Sequence, residues 1–210
     1  MLKLYYADTL MPRKVCALAQ HVKAKIQYIP VDLKAGEQRS PDFRALNPNG
    51  KVPVLTDGAF HLWESNAIMC YLSDVAGADL WPRDSKRQIE VMRWLNWDAN
   101  HFTRHGGTLY FEYLVKARFG IGEPTAAAVQ EATENLKKYA LVLNDHLSHS
   151  RYAVGDSLTV ADFALAVTVP YWSACRLSVA DFPSIQRWHD RLSELPEWRE
   201  PFPVQKAVAA

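Results

Sequence analysis

Glu64, Ser65 and Asn66 are consecutive polar residues that stand directly before a helical apolar pattern. The apolar positions that follow, including Ile68 and Leu72, recur at helical spacing, so the polar residues are predicted to begin a helix. The free N–H groups and partial positive charge of a helix N-terminus favour a bound carboxylate. The stretch therefore predicts an anion site, and the simpler alternative is that Ser65 only caps the helix.

A β-hairpin is predicted immediately before this anion site. Asp57-Gly58 separates the apolar runs 52–55 and 59–63, and Asp-Gly between such runs is the strongest short-range hairpin signal. Pro53 has no N–H for a β-ladder, so it predicts a fixed turn, and a cis Val52–Pro53 bond is one form of that turn. The N–H and C=O of Val52 would then be free to pair with an extended peptide beside the anion site.

The stretch from Leu33 to Ser65 resembles the glutathione-binding half of the glutathione S-transferases, and more narrowly bacterial-type members that use serine or threonine rather than cysteine. The resemblance rests on Leu-x-x-Gly-Glu-Gln-x-x-Pro-x-Phe-x-x-x-Asn-Pro-x-x-x-Val-Pro-x-Leu, beginning at Leu33, and on the pair Glu64-Ser65. Each motif alone is common, but together they are specific. The resemblance implies the glutathione transferase fold, which is an α/β thioredoxin-like N-terminal domain plus an all-α C-terminal domain, and it implies a homodimer.

By this resemblance the residues expected to bind glutathione, the co-substrate, are Gln38, Lys51, Val52, Glu64, Ser65 and Asn66. Glu64 would pair with the amino group of the γ-glutamyl end, and Ser65 would hold its carboxylate. The main chain of Val52 would pair with the cysteinyl backbone. Lys51 and Gln38 would reach the glycine carboxylate, although a polar surface residue such as Gln38 needs no functional explanation.

Thr9 is the catalytic residue that the resemblance favours. The family's reaction is attack by the glutathione sulfur on an electrophile, and the nucleophile is the thiolate, whose parent thiol has a pKa of about 8.5. A hydrogen bond to a charged group contributes roughly 1.5–3 kcal/mol, or about one to two pKa units at ~1.36 kcal/mol each. Serine versions of the family place that donor before the first helix, and counting four residues back from Arg13 reaches Thr9.

Three alternatives to this role of Thr9 stay open: a tyrosine donor, a main-chain donor and a purely structural role of Thr9. The side chain of Leu10 is not among them, because Leu10 stands two residues before Pro12, where other classes have their donor, but cannot donate a hydrogen bond. Tyr5 and Tyr6 point to opposite faces of a predicted strand, so at most one of them faces the site. A main-chain N–H near residues 10 and 11 is a further donor, and Thr9 is also explained as a cap of the first helix.

The second substrate is expected between the two domains, against the first long helix of the helical domain. The candidates there are aromatic or basic: Trp97, His101, Arg104, His105 and Tyr110. His101, Arg104 and His105 lie within about one and a half turns, which fits a site for an anionic or polar substrate or an ordinary solvated face. Trp97 fits core packing as well. The histidines show no ligand spacing with cysteine or carboxylate, so no metal is expected.

Composition excludes several other classes of protein. The 24 basic and 23 acidic residues nearly balance, so neither nucleic acid nor a membrane surface is expected as a partner. No apolar run approaches the ~20 residues of a membrane span, and no secretory signal is expected at the start. The three cysteines form no C-x-x-C pair and fit small buried side chains in a reducing, cytoplasmic compartment.

Hydrophobic periodicity predicts a mixed first domain. A strand at 2–6, a helix at 12–24, an edge strand at 26–33, the hairpin and a helix at 64–75 give the order β-α-β followed by β-β-α. This order is typical of a thioredoxin-like domain, which is assigned to residues 1–77. A linker is expected at 78–85 from its glycine, proline and polar composition.

Only helices are predicted after the linker, and residues 86–210 are assigned to the helical domain with the electrophile pocket. The helices are expected at 86–116, at 126–148, after Thr159, at 183–195 and at 197–206. Gly106-Gly107 is expected to kink or interrupt the first of them. Thr159 and Asp162 form the pattern of a capping box and are given a structural role only.

The function that these residues and the resemblance predict is a detoxifying glutathione transferase, which conjugates glutathione to small, mostly hydrophobic electrophiles. Other glutathione-dependent chemistry on the same fold, such as reduction, dehalogenation or isomerisation, is an alternative. The second alternative is a non-catalytic ligand-binding or regulatory protein, which the absence of the family's serine before the first helix favours. Val52-Pro53 and Glu64-Ser65 argue against it, because such a protein has no chemical reason to keep both.

Overall fold

The computed structural model describes residues 1–203 of the chain, and these residues form two compact units. The first unit contains Met1–Ala76 together with the described residues from Glu194 to Pro203. The second unit is Gly77–Ser193. The first unit is therefore built from two separate stretches of the chain.

The first unit has the mixed architecture that the periodicity predicts. Its elements in order are β1 (Leu2–Tyr6), α1 (Leu10–His21), β2 (Ile26–Pro30), a 3-10 turn (Glu37–Arg39), α2 (Pro41–Leu46), β3 (Val54–Asp57), β4 (Phe60–Trp63) and α3 (Ser65–Val75). The sheet order is β2-β1-β3-β4. Strands β1 and β2 are parallel, and the other two pairs are antiparallel. The β-α-β then β-β-α order of a thioredoxin-like domain is confirmed.

In the first unit, the sequence predicted the positions of the turns more accurately than the ends of the strands and helices. The predicted hairpin joins β3 to β4, and Gly58 has the positive φ of +58° that favours glycine. Strand β2 lies at the sheet edge as expected, but it ends at Pro30 instead of residue 33. Helix α1 begins at Leu10, two residues earlier than predicted. The Val52–Pro53 peptide is cis.

The last described residues cover one side of α1. Helix α10 (Pro196–Arg199) is shorter than the helix predicted at 197–206, because residues 200–203 are not helical and residues 204–206 lie outside the described residues. The Arg13 guanidinium donates to the main-chain oxygen of Trp198 at 2.6 Å and lies over its indole ring. This contact fixes the end of the described chain to the first unit.

The second unit, Gly77–Ser193, is helical throughout. Its helices are α4 (Ser85–Trp97), α5 (Thr103–Tyr110), α6 (Lys116–Phe119), α7 (Ala126–His149), α8 (Val160–Leu165) and α9 (Pro183–Ser193). Two π-helical segments, Asp98–Phe102 and Phe111–Val115, join α4 to α5 and α5 to α6. Two 3-10 segments, Ala166–Tyr171 and Val179–Asp181, lie between α8 and α9.

The interruption predicted at Gly106-Gly107 is wrong, since both glycines lie inside α5 and the π segments lie on either side of that helix. Gly106 serves close packing instead. A Cβ atom at this position would lie 2.7 Å from the Thr168 hydroxyl oxygen, so only glycine lets α5 approach that residue.

Asp162 holds the centre of the second unit through a buried hydrogen-bond network. The Thr159 N–H donates to Asp162 Oδ2 at 2.8 Å, which confirms the capping box. The same carboxylate accepts from the Ala153 N–H at 2.8 Å and from the Trp188 indole N–H at 3.0 Å. Burial raises the pKa of the Asp162 carboxyl, while these hydrogen bonds act in the opposite direction and favour the ionised form.

Glu112 and Lys116 tie the loop after α6 to the second π segment. Glu112 Oε2 accepts from Lys116 Nζ and from the Thr125 N–H, both at 2.6 Å. The Lys116 ammonium also donates to the main-chain oxygen of Glu123 at 3.1 Å. The hydrogen bond from Lys116, followed by that from Thr125, lowers the pKa of the Glu112 carboxyl below its ordinary value of 4.5.

Glu112→Gln is expected to lower the urea midpoint of unfolding at pH 7, and this difference from wild type should shrink in acid. A carboxyl whose pKa is lower in the folded protein stabilises it above the unfolded pKa, and that contribution is lost as the pH falls through the folded pKa. The measurement is a series of urea titrations from pH 7 to pH 3. Glu123→Gln, in the same exposed loop, is the control. A difference that stays constant below pH 4.5 would contradict the ion-pair explanation.

Candidate functional site

Three predicted site segments meet at one end of the strands in the sheet of the first unit. Tyr5 of β1 pairs with Val54 at the start of β3, and Val54 pairs with Trp63 at the end of β4. Because β3 is antiparallel to both neighbours, the last residues of β1 and β4 and the first residue of β3 lie at the same end of the sheet. The loop with Thr9, the Val52–Pro53 turn and the start of α3 therefore lie close together.

The N-terminus of α3 has no side-chain cap. Glu64 is the N-cap residue, with φ 71° and ψ 111°, and its side chain makes no capping hydrogen bond. The first main-chain bond of the helix runs from the Ile68 N–H to the Glu64 oxygen at 3.0 Å. Within residues 1–203, the amides of residues 65, 66 and 67 donate to no protein atom. These amides and a strained residue before them are typical of a ligand-binding helix terminus.

Ser65 is the first residue of α3 and not its N-cap, so the simpler explanation of Ser65 as a cap is wrong. The side chain is buried, with 8% of its surface exposed, and its hydroxyl lies 3.8 Å from the Met11 sulfur. A thioether is a weak acceptor, which leaves the hydroxyl available for a stronger partner. The contact also brings the first turn of α1 against the first turn of α3.

The N-terminus of α1 is uncapped in the same way. Thr9 occupies the N-cap position in extended conformation, but its hydroxyl makes no capping hydrogen bond, so the alternative of a side-chain cap is wrong. Across the described chain, the amides of Leu10 and Met11 have no acceptor, and Pro12 has no N–H. Two helix N-termini therefore lie next to each other with unpaired donors.

The two tyrosines near Thr9 have different surroundings. Tyr6 is only 4% exposed and packs against Tyr28 and Phe202, so it belongs to the core. Tyr5 lies on the opposite face of β1, edge-to-face with Phe43, in a hydrophobic cluster that also includes Val52. Of the two, Tyr5 is thus the tyrosine that stays an alternative donor.

The Val52 main chain is free to pair with a peptide, since its N–H and C=O make no hydrogen bond to any described residue. The Asn47 side chain supports this loop by donating to the Lys51 oxygen at 2.7 Å. Lys51 is exposed and forms no ion pair with the described residues.

Gln38 lies beside the same loop, because a Cβ atom on Gly50 would come within 3.0 Å of the Gln38 main-chain oxygen. Its side-chain amide nitrogen lies 3.5 Å from the Leu33 oxygen, the outer limit of a hydrogen bond. The side-chain oxygen of Gln38 is buried, and no described protein group donates to it. Gln38 and Lys51 therefore lie on neighbouring segments.

The Asn66 side chain is held by a residue that the sequence did not single out. Its amide oxygen accepts from the Lys14 ammonium at 2.7 Å, and Lys14 is only 2% exposed. A lysine in an amphipathic helix normally faces solvent. The available signal was its spacing, because Lys14 stands four residues before Leu18 and so shares the buried face of α1.

The candidates for the second substrate separate into groups within the second unit. The rings of Trp97, His101 and His105 surround Tyr139 of α7, with centroid distances of 5.9, 4.8 and 5.8 Å. Burial, and secondarily the charge of Arg104, lowers the pKa of His105. Arg104 itself is exposed.

Tyr110 is not part of that ring cluster. Its ring lies 4.8 Å from the ring of Tyr171, in the 3-10 segment after α8. The structure thus groups three of the five candidates through Tyr139, which the sequence could not identify because the contact depends on how α5 and α7 pack.

The described residues contain neither a cluster of metal ligands nor a helix that could span a membrane. Residues 1–203 contain no group of three or more histidine, cysteine or acidic side chains placed to hold a metal ion. Among the helices described, none has the length and apolar character needed to cross a bilayer.

Two family models match most of the chain. The description "Glutathione S-transferase, N-terminal domain" matches residues 2–74, and the corresponding C-terminal domain matches residues 102–196. Glutathione S-transferase 3 of Zea mays is 35% identical, over 98% of this chain and 92% of its own. Glutathione S-transferase D6 of Drosophila melanogaster is 31% identical, over 90% of this chain and 85% of its own.

Solved structures agree with these relatives. A theta class glutathione S-transferase from Xanthomonas axonopodis pv. citri, with glutathione bound, superposes with a TM-score of 0.86 at 26% identity and 99% coverage of both chains. A glutathione S-transferase-I with bound lactoylglutathione gives a TM-score of 0.85 at 26% identity, covering 95% of this chain and 97% of that one. With this fold, both domain models and full-length relatives above 30% identity, the chain belongs to the glutathione S-transferase family.

Proposed function

We propose that this protein conjugates the glutathione thiolate to small, mostly hydrophobic electrophiles. The observation that carries the proposal is the pair of uncapped helix N-termini, α1 and α3, which touch through Met11 and Ser65. Two anions of glutathione, its thiolate and its γ-glutamyl carboxylate, would each lie at one of these termini. Free amides and the helix dipole favour anions at such positions.

In the proposed complex, the α3 amides and the Ser65 hydroxyl bind the γ-glutamyl carboxylate, and the exposed Glu64 carboxylate pairs with the amino group beside it. The Val52 N–H and C=O pair with the cysteinyl backbone, as in the addition of a short β-strand. Lys51 binds the glycine carboxylate, and the Gln38 side chain contributes a hydrogen bond on the same side. Family membership and the unpaired groups of these residues support the assignment.

The chemical step needs a thiolate at neutral pH. Thr9 is the proposed donor, because its hydroxyl lies at the α1 N-terminus and makes no capping bond. In the reaction the sulfur forms a bond to carbon, the leaving group departs with its electron pair, and the thiol proton has already passed to solvent. The α1 dipole and the hydroxyl stabilise the negative sulfur before attack.

Residues of the second unit are proposed to bind the electrophile. The candidates remain Trp97, His101, Arg104, His105 and Tyr110. The rings of Trp97, His101 and His105 around Tyr139 provide apolar surface with titratable groups. Such a surface suits a hydrophobic molecule that carries a polar substituent.

A homodimer, a cytoplasmic location and a role in detoxification complete the proposal. Exposed apolar side chains support self-association: Phe60 and Trp63 on β4 are 48% and 41% exposed, and Ile89 and Met92 on α4 are 62% and 44% exposed. Ile89 and Met92 stand three residues apart and so lie on one face of α4, where exposed apolar surface favours association with a second copy of the chain.

The test of the proposed function is an ultraviolet difference titration of glutathione bound to the wild-type protein. We expect a thiolate signal with a midpoint at least one unit below the ~8.5 of a free thiol, and conjugation of a model aryl halide that follows the same midpoint. Binding of glutathione only as the neutral thiol, without conjugation, would overturn the transferase proposal in favour of a ligand-binding protein. Failure to bind glutathione at all would overturn both.

A further inference from the structure

Lys14 is a buried cation in the second turn of α1. It is the fifth residue of that helix and is 2% exposed. Burial disfavours an ammonium group unless it is paired and hydrogen-bonded. Space filling alone would be served better by an apolar side chain, so the charge itself points to a role.

The Lys14 ammonium faces the start of α3. It donates to the side-chain oxygen of Asn66, the second residue of that helix, at 2.7 Å. The amides of residues 65 to 67 lie on this same turn and have no acceptor among the described residues. A positive charge therefore lies next to a set of free donors, and in a poorly solvated position its field is weakly screened.

We propose that Lys14 is a positioning residue of the glutathione site: its buried ammonium fixes the Asn66 side chain and keeps a positive charge behind the first turn of α3, which binds the γ-glutamyl carboxylate. The inference rests on the proposed function, since it concerns the same site. Lys14 acts through Asn66 and the α3 turn. Its neighbour Arg13 has a different task, because it binds the Trp198 oxygen and ring.

The experiment compares two peptides on three proteins by calorimetry. The peptides are glutathione and 4-aminobutyryl-cysteinylglycine, which lacks only the γ-glutamyl carboxylate. The proteins are wild type, Lys14→Met and Lys25→Met. The last removes an exposed lysine that precedes β2 and lies at the opposite end of the strands from the site. We expect Lys14→Met to raise the Kd for glutathione about tenfold and that for the analogue less than twofold, with Lys25→Met changing neither.

Selectivity for the carboxylate is what a purely structural role of Lys14 would not produce. Equal losses for both peptides in Lys14→Met would overturn the inference, as would equal affinities of the two peptides for wild type. If Lys14→Met does not fold by circular dichroism, Asn66→Ala replaces it, with an expected loss of about threefold for glutathione only. Failure of wild type to bind either peptide would instead overturn the proposed function.

Discussion

Thr9→Ala is expected to raise the pKa of enzyme-bound glutathione by one to two units. The lost hydrogen bond to a charged group is worth roughly 1.5–3 kcal/mol, and one pKa unit is ~1.36 kcal/mol. For a wild-type pKa of ~7.5, one unit below that of a free thiol, the thiolate fraction at pH 7 then falls about ten- to a hundredfold. A more basic thiolate is a better nucleophile, with a Brønsted slope of about 0.4–0.5, so the net rate should fall only about three- to tenfold.

The pH profile separates this explanation from a loss of fold. Activity rises as the thiol ionises, so the rising limb in Thr9→Ala should move to higher pH by the same one to two units. The two profiles should cross in alkali, where both thiols are ionised and the more basic thiolate of Thr9→Ala reacts about three- to tenfold faster. Thr9→Ser keeps the hydroxyl and is the matched control. An unshifted profile in Thr9→Ala, with a shifted one in Tyr5→Phe, would assign the donor role to Tyr5. No shift in either would assign it to the amides of Leu10 and Met11.

Asp162→Ala is expected to destabilise the second unit by about 3 kcal/mol or more. The substitution leaves the Ala153 and Thr159 amides and the Trp188 indole N–H buried without an acceptor, and each unsatisfied buried donor costs about 1–3 kcal/mol. The measurement is the free energy of unfolding from urea titration, followed by tryptophan fluorescence.

Asp145→Ala is the control for Asp162→Ala, because Asp145 is an exposed acid on α7 and should change stability by less than about 0.5 kcal/mol. Asp162→Asn should fall between the two, since its amide keeps one oxygen acceptor but turns an N–H₂ group toward a donor. A loss below 1 kcal/mol in Asp162→Ala would mean that water replaces the carboxylate in this network.

Local sequence signals made both the hairpin and the start of α3 at Glu64-Ser65 predictable. The two central residues of the turn are Gly58 and Ala59, one position later than the Asp57-Gly58 pair suggested, and the pairing of Asp57 with Phe60 closes it. Gly58 supplies the positive φ that this turn needs, and the turn fixes the register of β3 and β4. The positive φ of Glu64 was not predictable, because it depends on how the end of β4 leads into α3. A non-glycine residue there is held by its surroundings and not by its own preference.

Features that the sequence did not predict depend on contacts between distant parts of the chain. The pairing of Lys14 with Asn66 joins α1 to α3, and Tyr139 joins α7 to the predicted pocket helix. Gly106 shows the limit most clearly. A glycine inside a helical pattern usually signals a weak point, yet here it allows contact with Thr168. The sequence contains the glycine, but the reason for it lies in a residue on another segment.

The end of the described chain has a consequence for biosynthesis. Gln20 and His21 of α1 bind Pro201 and Glu197, and Arg13 binds Trp198, so the unit with the proposed glutathione site is completed by residues that follow the whole second unit in the chain. The ribosome must therefore synthesise the second unit before α1 is fully covered. A nascent chain that stops after β4 and α3 would leave the Arg13 guanidinium without its carbonyl partner. Complete packing of α1 thus waits for the synthesis of the helical unit that separates the two stretches of the first unit.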